Sequence, residues 1–352
     1  MAGNGLPAHG LCFFQHAADG PWHLSSASFY RECQFMSGFA AHPRAAPFTP
    51  TPWLANRHVQ TLMAAVMRAP QVSLTSESIE LPDGDVIDLV RTGPAAGRPA
   101  VVLLHGLEGS VRSSYARAML AAWHGRGWCG VLVHARGSAQ RPNRLARGYH
   151  SGDWQDAALV VARLQTEGAT AIAGVGVSLG GNVLLKWLGE TGEACPLRAA
   201  VAISVPFDLA ACADALSHGF ARFYQWHLLR DMRASVWAKR ALNGATRRQL
   251  RRLTTFRAFD DCFTAPQNGF ADVADYYAQC SCRRFLASIV TPTTIIQAAD
   301  DPFVPPASLP DALPSAVRLH LSPQGGHVGF LHGTWPRSWL PEAVTSALME
   351  HL

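Results

Sequence analysis

The stretch Gly176-Val177-Ser178-Leu179-Gly180-Gly181 decides the fold, because it joins a short apolar run to a helical pattern. Residues 171–177 are predicted to form a buried strand, and residues 179–189 a helix. A serine between glycines at such a junction is the GxSxG motif, in which a sharp turn exposes the hydroxyl above the sheet, beside a helix N-terminus. GxSxG alone also fits a tight glycine turn, but the strand before it and the helix after it favour a nucleophile.

Strands and helices alternate on both sides of this junction. A hairpin is predicted over residues 72–91, around the turn Pro82-Asp83-Gly84. Further strands are predicted over 100–104, 130–134, 199–205, 293–297 and 317–321, and further helices over 112–124, 153–165 and 341–352. This order predicts an α/β fold with a mostly parallel, doubly wound sheet.

The alternation is interrupted between about residues 207 and 290, where helical segments are rich in aromatic and basic residues. We expect these segments to form a helical cap over the carboxyl edge of the sheet, where such sheets bind their ligands. Residues 46–352 are therefore predicted to form one domain with a cap insertion. Residues 1–45 show no periodicity and are expected to be a dispensable extension, with Met36 as an alternative start.

A serine nucleophile needs a base and an orienting carboxylate, and in α/β hydrolases these follow in the order Ser, Asp or Glu, His. Asp300-Asp301-Pro302-Phe303-Val304-Pro305 comes directly after one predicted strand, and Gly325-Gly326-His327-Val328-Gly329 after the next. We predict Asp301 as the acid, from its spacing to Pro305, with Asp300 as the alternative, and His327 as the base. The interval between the acid and the base has room for one helix and one strand.

The oxyanion of the reaction needs two backbone N–H donors. One is assigned to Leu179, the residue after the nucleophile, and the other to Leu107 in the turn His105-Gly106-Leu107-Glu108-Gly109-Ser110. His105 is expected to fix this turn by hydrogen bonds rather than to act as a base.

Composition argues against several classes of protein. The 352 residues are 48% hydrophobic and 16% charged, and no apolar run reaches the ~18 residues of a membrane-spanning helix. The N-terminus lacks the basic leader and apolar core of a signal peptide. The eight cysteines form no CxxC pair, which is typical of a cytoplasmic protein. The fifteen histidines show no HExxH or similar ligand spacing, so neither a metal nor another cofactor is expected.

Basic charge is concentrated between Arg222 and Arg257, where ten Lys or Arg accompany a single acid, Asp231. A solvated helical face is the simplest interpretation. The alternative is peripheral contact with an anionic membrane, because aromatic residues lie among these charges: Phe220, Phe223, Tyr224, Trp226 and Trp237. These aromatics would otherwise pack against the core. No nucleic-acid recognition motif accompanies the charge, so nucleic acid is not an expected partner.

From about Pro47 onward, several segments in fixed order make the chain resemble the YheT-like branch of the α/β hydrolases. They are Pro52 to Thr61, His105 to Ser110, Arg136-Gly137, Tyr149 to Gly152, Gly176 to Asn182, Phe259 to Asp261, Asp275 to Tyr277, Asp300 to Phe303 and Gly325 to Phe330. The resemblance implies a Ser-Asp-His carboxylic-ester hydrolase without metal or redox cofactor. Activities linked to the wider family are short- and medium-chain esterase, acylglycerol lipase, phospholipid deacylation and acyl transfer from acyl-CoA to an alcohol.

Two segments depart from the family pattern. Ser138-Ala139-Gln140-Arg141 stands where the family often has Cys-Ser-Gly-Glu, and His134 replaces a more usual Asn or neutral residue. Both departures are expected to alter the pocket wall. Tyr149-His150-Ser151-Gly152 has no role that the sequence explains, apart from an N-cap at Ser151 for the following helix.

Three functions are compatible with these residues: an ester hydrolase acting on a small acyl ester, an acyltransferase, and a non-catalytic binding protein on a hydrolase scaffold. The complete triad disfavours the third. Acyl chain length, head group and oligomeric state depend on packing that the sequence does not specify.

Overall fold

The computed structural model describes residues 47–138 and 142–352. The predicted extension over residues 1–45 lies outside the described residues. So do Ala139, Gln140 and Arg141, which make up most of one departure from the family pattern.

Eight strands form the central sheet: β1 (Thr75–Glu80), β2 (Val86–Arg91), β3 (Ala100–Leu104), β4 (Cys129–Val133), β5 (Ile172–Val177), β6 (Ala199–Ile203), β7 (Thr293–Ala298) and β8 (Val317–Ser322). Their order across the sheet is β1-β2-β4-β3-β5-β6-β7-β8. The pairs β1–β2 and β2–β4 are antiparallel, and all other pairs are parallel. Every residue of β3 to β6 is buried, as expected for parallel strands covered on both faces. The predicted doubly wound α/β sheet is therefore confirmed.

Helices cover both faces of this sheet: α2 (Ser114–His124), α3 (Gln155–Thr166), α4 (Leu179–Thr191) and, after the cap, α12 (Leu340–Leu348), while α1 (Arg57–Val66) packs against α2. On one face, Met119 and Trp123 of α2 pack with Val344 of α12 against the strands. On the other face, Leu164 of α3 and Trp187 of α4 do the same. Fully burying an aliphatic side chain of this kind stabilises the fold by about 1.5–3 kcal/mol. The sheet is therefore held between two apolar layers.

The residues between β6 and β7 form only helical and irregular structure, and we call residues 207–290 the cap. Its α-helices are α5 (Leu209–Ala215), α6 (Ala221–Ala238), α7 (Arg240–Asn243), α8 (Arg247–Arg252), α9 (Phe256–Phe259), α10 (Ala265–Gln267) and α11 (Val273–Cys280), with a π-helical turn over Asp260–Thr264. The cap has its own apolar core, which includes Leu229, Phe259 and Tyr276. It follows the carboxyl end of β6, so it lies at the edge of the sheet where ligands of this fold bind.

The segment between Asp301 and His327, which has room for one helix and one strand, uses only part of that room for regular structure. It contains β8, but in place of an α-helix it has a single 3-10 turn over Pro306–Ser308. Prolines at 305, 306, 310 and 314 explain this, since each lacks the N–H that an α-helix interior needs.

A small second sheet pairs β9 (Leu331–His332) with β10 (Arg337–Ser338) directly before α12. In the part of the chain that the structure describes, no helix combines the length and the hydropathy needed to cross a membrane.

Candidate active site

Ser178 lies at the turn between β5 and α4 with a φ of 53° and a ψ of −119°. An L-residue with this backbone is strained, and the surrounding packing has to hold it there. Two close approaches explain the flanking glycines: a Cβ on Gly176 would lie 2.3 Å from the carbonyl oxygen of Gly180, and one on Gly180 would lie 2.2 Å from that of Leu104. The glycines thus allow the tight turn that raises the hydroxyl above the sheet.

Ser178, His327 and Asp301 form a continuous chain of hydrogen bonds. The Ser178 Oγ lies 2.9 Å from His327 Nε2, and His327 Nδ1 lies 2.9 Å from Asp301 Oδ2 and 3.1 Å from Oδ1. Asp301 is buried and, as a carboxylate, only accepts, so the Nδ1 of His327 carries the proton and Nε2 is free to accept from the serine. The structure brings all three predicted residues together in this order.

The two candidate acids occupy different places. Asp301 faces the imidazole of His327, whereas Asp300 accepts a hydrogen bond from the backbone N–H of Gly326 at 2.9 Å. Burial raises the pKa of Asp300 to about 6. Asp300 therefore holds the loop that carries His327, and Asp301 is the carboxylate placed to orient its ring.

Two residues that sequence reasoning missed support Asp301 and the imidazole. Gln297, fully buried at the end of β7, donates from Nε2 to Asp301 Oδ2 at 3.2 Å and accepts the N–H of Val205 through its other amide atom at 2.8 Å. The ring of Phe303 stacks on that of His327 with 3.9 Å between centroids and 2° between planes. Phe303 lies in the segment 300–305 that contains the two candidate acids, but nothing in the sequence pattern of that segment indicated this contact.

The loop of His327 is also anchored by hydroxyl groups from distant elements. The N–H of His327 donates to Thr61 Oγ1 of α1 at 2.9 Å, and the N–H of Val328 donates to Ser204 Oγ after β6 at 2.9 Å. Thr61 closes the segment Pro52 to Thr61 that carries the family resemblance, which was the one signal that could have drawn attention to it. Two hydroxyl groups from distant elements thus hold the loop that carries the base.

The turn after β3 passes directly beside Ser178, since Leu104 of β3 lies opposite Gly176 of β5. In this turn the N–H of Gly106 donates to Tyr115 Oη at 3.0 Å, and the N–H of Glu108 donates to Tyr149 Oη at 2.8 Å. Among the described residues, nothing accepts a hydrogen bond from the N–H of Leu107 between them. That group is therefore available to a ligand.

The second predicted donor, Leu179, is the first residue of α4. The N–H groups in the first turn of a helix have no partner within the helix and carry a partial positive charge. Leu107 and Leu179 line the same cavity as Ser178, and their N–H groups stay the predicted donors to the oxyanion.

His105 lies behind the turn as a structural residue. Its Nδ1 donates to the carbonyl oxygen of Gly106 at 2.6 Å, and its Nε2 accepts the N–H of Ala135 at 3.1 Å. Burial lowers its pKa to about 4, so it stays neutral at physiological pH. These bonds agree with the predicted role of fixing the turn.

A cavity of about 170 Å³ opens from Ser178 and His327 under the cap. Its wall is mainly apolar, and the cap contributes residues from helices α5, α6 and α9, from the end of α5 and from the π-helical turn: Leu209, Cys212, Ala213, Leu216, Leu228, Met232, Val236, Phe256, Phe259 and Phe263. Such a wall suits a hydrocarbon chain, since burying apolar surface is favourable without directional bonds.

Glu108 and Asp260 are the carboxylates that line this cavity. Glu108 accepts hydrogen bonds from the hydroxyls of Tyr149 at 3.1 Å and Ser235 at 2.9 Å, so it joins the turn after β3 to helix α6 of the cap. Asp260 accepts from Tyr277 Oη at 2.7 Å. Burial raises the pKa of both carboxyls, that of Asp260 to about 6. Sequence reasoning assigned no role to either.

The segment Tyr149 to Gly152 has a structural role, and the N-cap assigned to Ser151 is wrong. Helix α3 begins at Gln155, and no side chain caps it. Ser151 instead accepts a hydrogen bond from Tyr276 Oη through its Oγ at 2.8 Å and donates its N–H to the same oxygen at 3.0 Å. Asn182 of α4 donates to the Ser151 carbonyl at 2.8 Å. The segment therefore ties the cap to the core.

The expectation that His134 shapes the pocket wall is also wrong. His134 is buried outside the lining of the cavity, and its Nε2 accepts the N–H of Val111 at 3.2 Å. The basic run is largely exposed, as predicted, but Lys239 is buried and donates to Asn143 Oδ1 and to the carbonyls of Ala146 and Arg147. Over the ranges 47–138 and 142–352, no three His, Cys, Asp or Glu residues are grouped so as to hold a metal ion.

A strained serine hydrogen-bonded to a histidine and a buried aspartate, at the carboxyl edge of a doubly wound sheet, defines the class of α/β hydrolases. Residues 99–334 match the family model described as the alpha/beta hydrolase fold. Over 322 residues the chain is 41% identical to the Escherichia coli (strain K12) protein named "Putative esterase YheT". The matched region covers 88% of this chain and 94% of that protein. The chain therefore belongs to the YheT-like branch of the α/β-hydrolase family.

Two further similarities agree with this membership. The chain is 31% identical over 307 residues to Phospholipase ABHD3 of Mus musculus, covering 82% of this chain and 74% of the relative. Among solved structures, the esterase Pf2001 of Pyrococcus furiosus matches with a TM-score of 0.52 at 16% identity, over 88% of this chain and 99% of the other, and supports the fold. The protein is an enzyme of the carboxylic-ester hydrolase class, as the resemblance implied.

Proposed function

We propose that this enzyme hydrolyses carboxylic esters with short to medium acyl chains, acylglycerols included, through an acyl-enzyme on Ser178. The observation that carries the proposal is the hydrogen-bonded chain from Ser178 through His327 to Asp301, of which Ser178 and His327 line an apolar cavity. The names of the relatives, an esterase and a phospholipase, support an ester as the substrate.

In the first half of the cycle, Ser178 Oγ transfers its proton to His327 Nε2, 2.9 Å away, as it attacks the ester carbonyl. Negative charge develops on the carbonyl oxygen, and the N–H groups of Leu107 and Leu179 stabilise it. One such donor is worth roughly 10²–10³ in kcat. Asp301 stabilises the imidazolium that forms. His327 then protonates the leaving alcohol, and the acyl group stays on the serine.

In the second half, His327 takes a proton from water as the water attacks the acyl-enzyme, and it returns that proton to Ser178 Oγ as the bond to the serine breaks and the acid leaves. The same intermediate would pass its acyl group to an alcohol if the acceptor reached the carbonyl before water did. Hydrolysis and acyl transfer therefore share every residue of the site and differ only in the acceptor.

The experiment that tests the proposal compares the native enzyme with Ser178→Ala on p-nitrophenyl esters of increasing acyl length. Ser76→Ala, which changes an exposed serine of β1, serves as the matched control. We expect turnover by the native enzyme and the control, and a loss of about 10⁴-fold or more in Ser178→Ala. Equal rates in all three proteins would refute the role of Ser178.

Added glycerol separates the two acceptors in the same assay. Hydrolysis yields the free acid alone, whereas acyl transfer yields a glyceryl ester that increases with glycerol concentration. If the glyceryl ester is the main product even at low glycerol concentration, the enzyme is an acyltransferase with the same nucleophile and the proposed hydrolase function is refuted.

A further inference from the structure

Helix α6 of the cap carries three exposed aromatic side chains one turn apart. Phe220, just before the first turn of the helix, is 52% exposed, Phe223 46% and Trp226 54%. Their rings pack on one another, with centroids 5.8 Å apart between Phe220 and Phe223 and 6.2 Å apart between Phe223 and Trp226. Tyr224 points inward from the same helix and is buried. The expectation that the aromatics of the cap pack against the core therefore holds for Tyr224 but not for these three.

Helix α1 extends this apolar surface. The ring of His58 lies 4.4 Å from that of Phe220, which joins the two helices. Val59, Leu62 and Val66 are all exposed, and their spacing of three and four residues places them along one stripe of α1, beside His58. We call these six side chains, Phe220, Phe223 and Trp226 with Val59, Leu62 and Val66, the aromatic face.

A chain of side-chain contacts links the aromatic face to the catalytic histidine. His58 Nδ1 lies 3.0 Å from Tyr224 Oη, and the Tyr224 ring lies 4.9 Å from the ring of Phe303, which stacks on His327. Helix α1 also supplies Thr61, which accepts the N–H of His327. A partner bound to this face would therefore lie close to the side of the active site that carries Phe303 and His327, both of which line the cavity.

The two stretches of chain that carry the aromatic face contain basic residues and no acidic ones. The sequence contains no Asp or Glu from residue 47 to 76 or from residue 215 to 230, whereas Arg57, Arg68 and Arg222 are exposed in these ranges. Exposed aromatic and aliphatic side chains next to basic ones are the pattern that binds anionic lipid interfaces. A second copy of the chain fits less well, because a two-fold contact would set these arginines against one another.

We infer that the aromatic face docks on the surface of an anionic lipid bilayer and holds the His327 side of the active site against it. The inference rests on the proposed ester hydrolysis for its purpose, because the ester would then enter from the lipid phase. It refines the membrane contact expected of the basic cap, since the contact is made by α1 and the start of α6 rather than by the arginines over residues 239–257.

The test measures binding of the inactive Ser178→Ala protein to sucrose-loaded vesicles of phosphatidylcholine with phosphatidylglycerol, and to vesicles of phosphatidylcholine alone. In this background the result does not depend on catalysis, so failure of the docking surface and failure of the proposed hydrolase can be told apart. The test variant combines Phe220→Ser, Phe223→Ser and Trp226→Ser. The matched control combines Leu159→Ser, Val290→Ser and Met349→Ser, which changes three comparably exposed apolar side chains outside the face.

We expect the parent and the control to bind anionic vesicles more tightly than neutral ones. Each half-exposed ring should contribute roughly threefold to tenfold to the partition coefficient, so the test variant should bind at least about thirtyfold more weakly. Arg68→Gln and Arg222→Gln should each weaken binding roughly fivefold, and added salt should do the same. The melting curve of the test variant should match that of the parent, which shows that the variant is folded. When the same three substitutions are made in the protein that keeps Ser178, turnover of dissolved p-nitrophenyl acetate should also be unchanged.

Three outcomes would overturn the inference. The parent could fail to bind anionic vesicles, or the test variant could bind as tightly as the control. The third outcome is that the parent does not bind vesicles and sediments as a dimer in analytical ultracentrifugation, while the test variant sediments as a monomer. The aromatic face would then be a contact between copies of the chain.

Discussion

Replacing Asp301 by Asn tests the assignment of the acid, because the carboxylate of Asp301 faces only donors. The N–H of Phe303 donates to Oδ1 at 2.8 Å, while Gln297 Nε2 at 3.2 Å and His327 Nδ1 at 2.9 Å point at Oδ2. An asparagine has one acceptor and one NH₂ group in these two positions. In either orientation its NH₂ meets a donor, so at least one of these bonds is lost.

The consequence for catalysis follows from the tautomer of His327. When the NH₂ faces the imidazole, Nδ1 has to accept, and the ring proton moves to Nε2, which can then no longer take the proton of Ser178. In Ser-His-Asp hydrolases this change lowers kcat about 10⁴-fold. Each factor of ten corresponds to about 1.4 kcal/mol, so we expect a loss of about 5 kcal/mol of transition-state stabilisation. KM should change little, because Asp301 does not line the cavity.

Asp300→Asn is the matched control, since the neighbouring residue undergoes the same chemical change. Its carboxylate accepts the N–H of Gly326, and the amide oxygen of an asparagine can still accept that bond. We expect less than about a tenfold loss of kcat. The assay is the initial rate on p-nitrophenyl butyrate, with Ser178→Ala as the floor. The reasoning would be refuted if Asp301→Asn kept more than a tenth of the activity, or if Asp300→Asn fell to the floor.

Three further predictions concern stability and selectivity. Because burial raises the pKa of Asp300 from its ordinary 3.8 to about 6, the folded state holds that proton more tightly than the unfolded chain, and stability is lost as pH rises from about 4 through 6. Asp300→Asn should therefore raise the thermal midpoint at pH 8 but not at pH 4, and an equal effect at both pH values would contradict this. Ala213 lines the cavity, so Ala213→Phe should occupy part of the space for the acyl chain and lower kcat/KM for p-nitrophenyl octanoate roughly tenfold more than for the acetate. Equal losses for the two esters would mean that Ala213 does not contact the acyl chain. Tyr276→Phe leaves the buried N–H of Ser151 without its acceptor, so the free energy of unfolding measured in urea should fall by about 1–3 kcal/mol. A change within about 0.5 kcal/mol, the usual effect of a surface substitution, would show that this bond does not stabilise the fold.

The order of strands and helices was predictable from the sequence because it depends on local patterns. Apolar runs of strand length mark the buried strands, and periodic segments between them mark the helices. The ends of most elements differ from the prediction by only a few residues; β5, for example, begins at Ile172 rather than at 171.

The serine, the histidine and the region of the acid were also predictable, because each follows a strand in the order that the fold requires. The choice between Asp300 and Asp301 needed the structure, since adjacent residues point in different directions and only the path of the loop decides which one meets the imidazole. Ser151 shows the same limit. Its partner Tyr276 lies 125 residues away, so a local rule assigned it to a helix that it does not cap.

The sequence by itself determined the fold, the class of chemistry and the serine, histidine and acid region that the structure brings together, because these depend on short patterns whose spacing is imposed by backbone geometry. Only the tertiary structure decided the rest: the support of Asp301 by Gln297, the stacking of Phe303 on His327, the bridge from Glu108 to the cap, and which aromatics of α6 face solvent. Each of these is a contact between elements far apart in the chain. Such contacts depend on how the cap and the sheet pack in three dimensions, which no local pattern encodes.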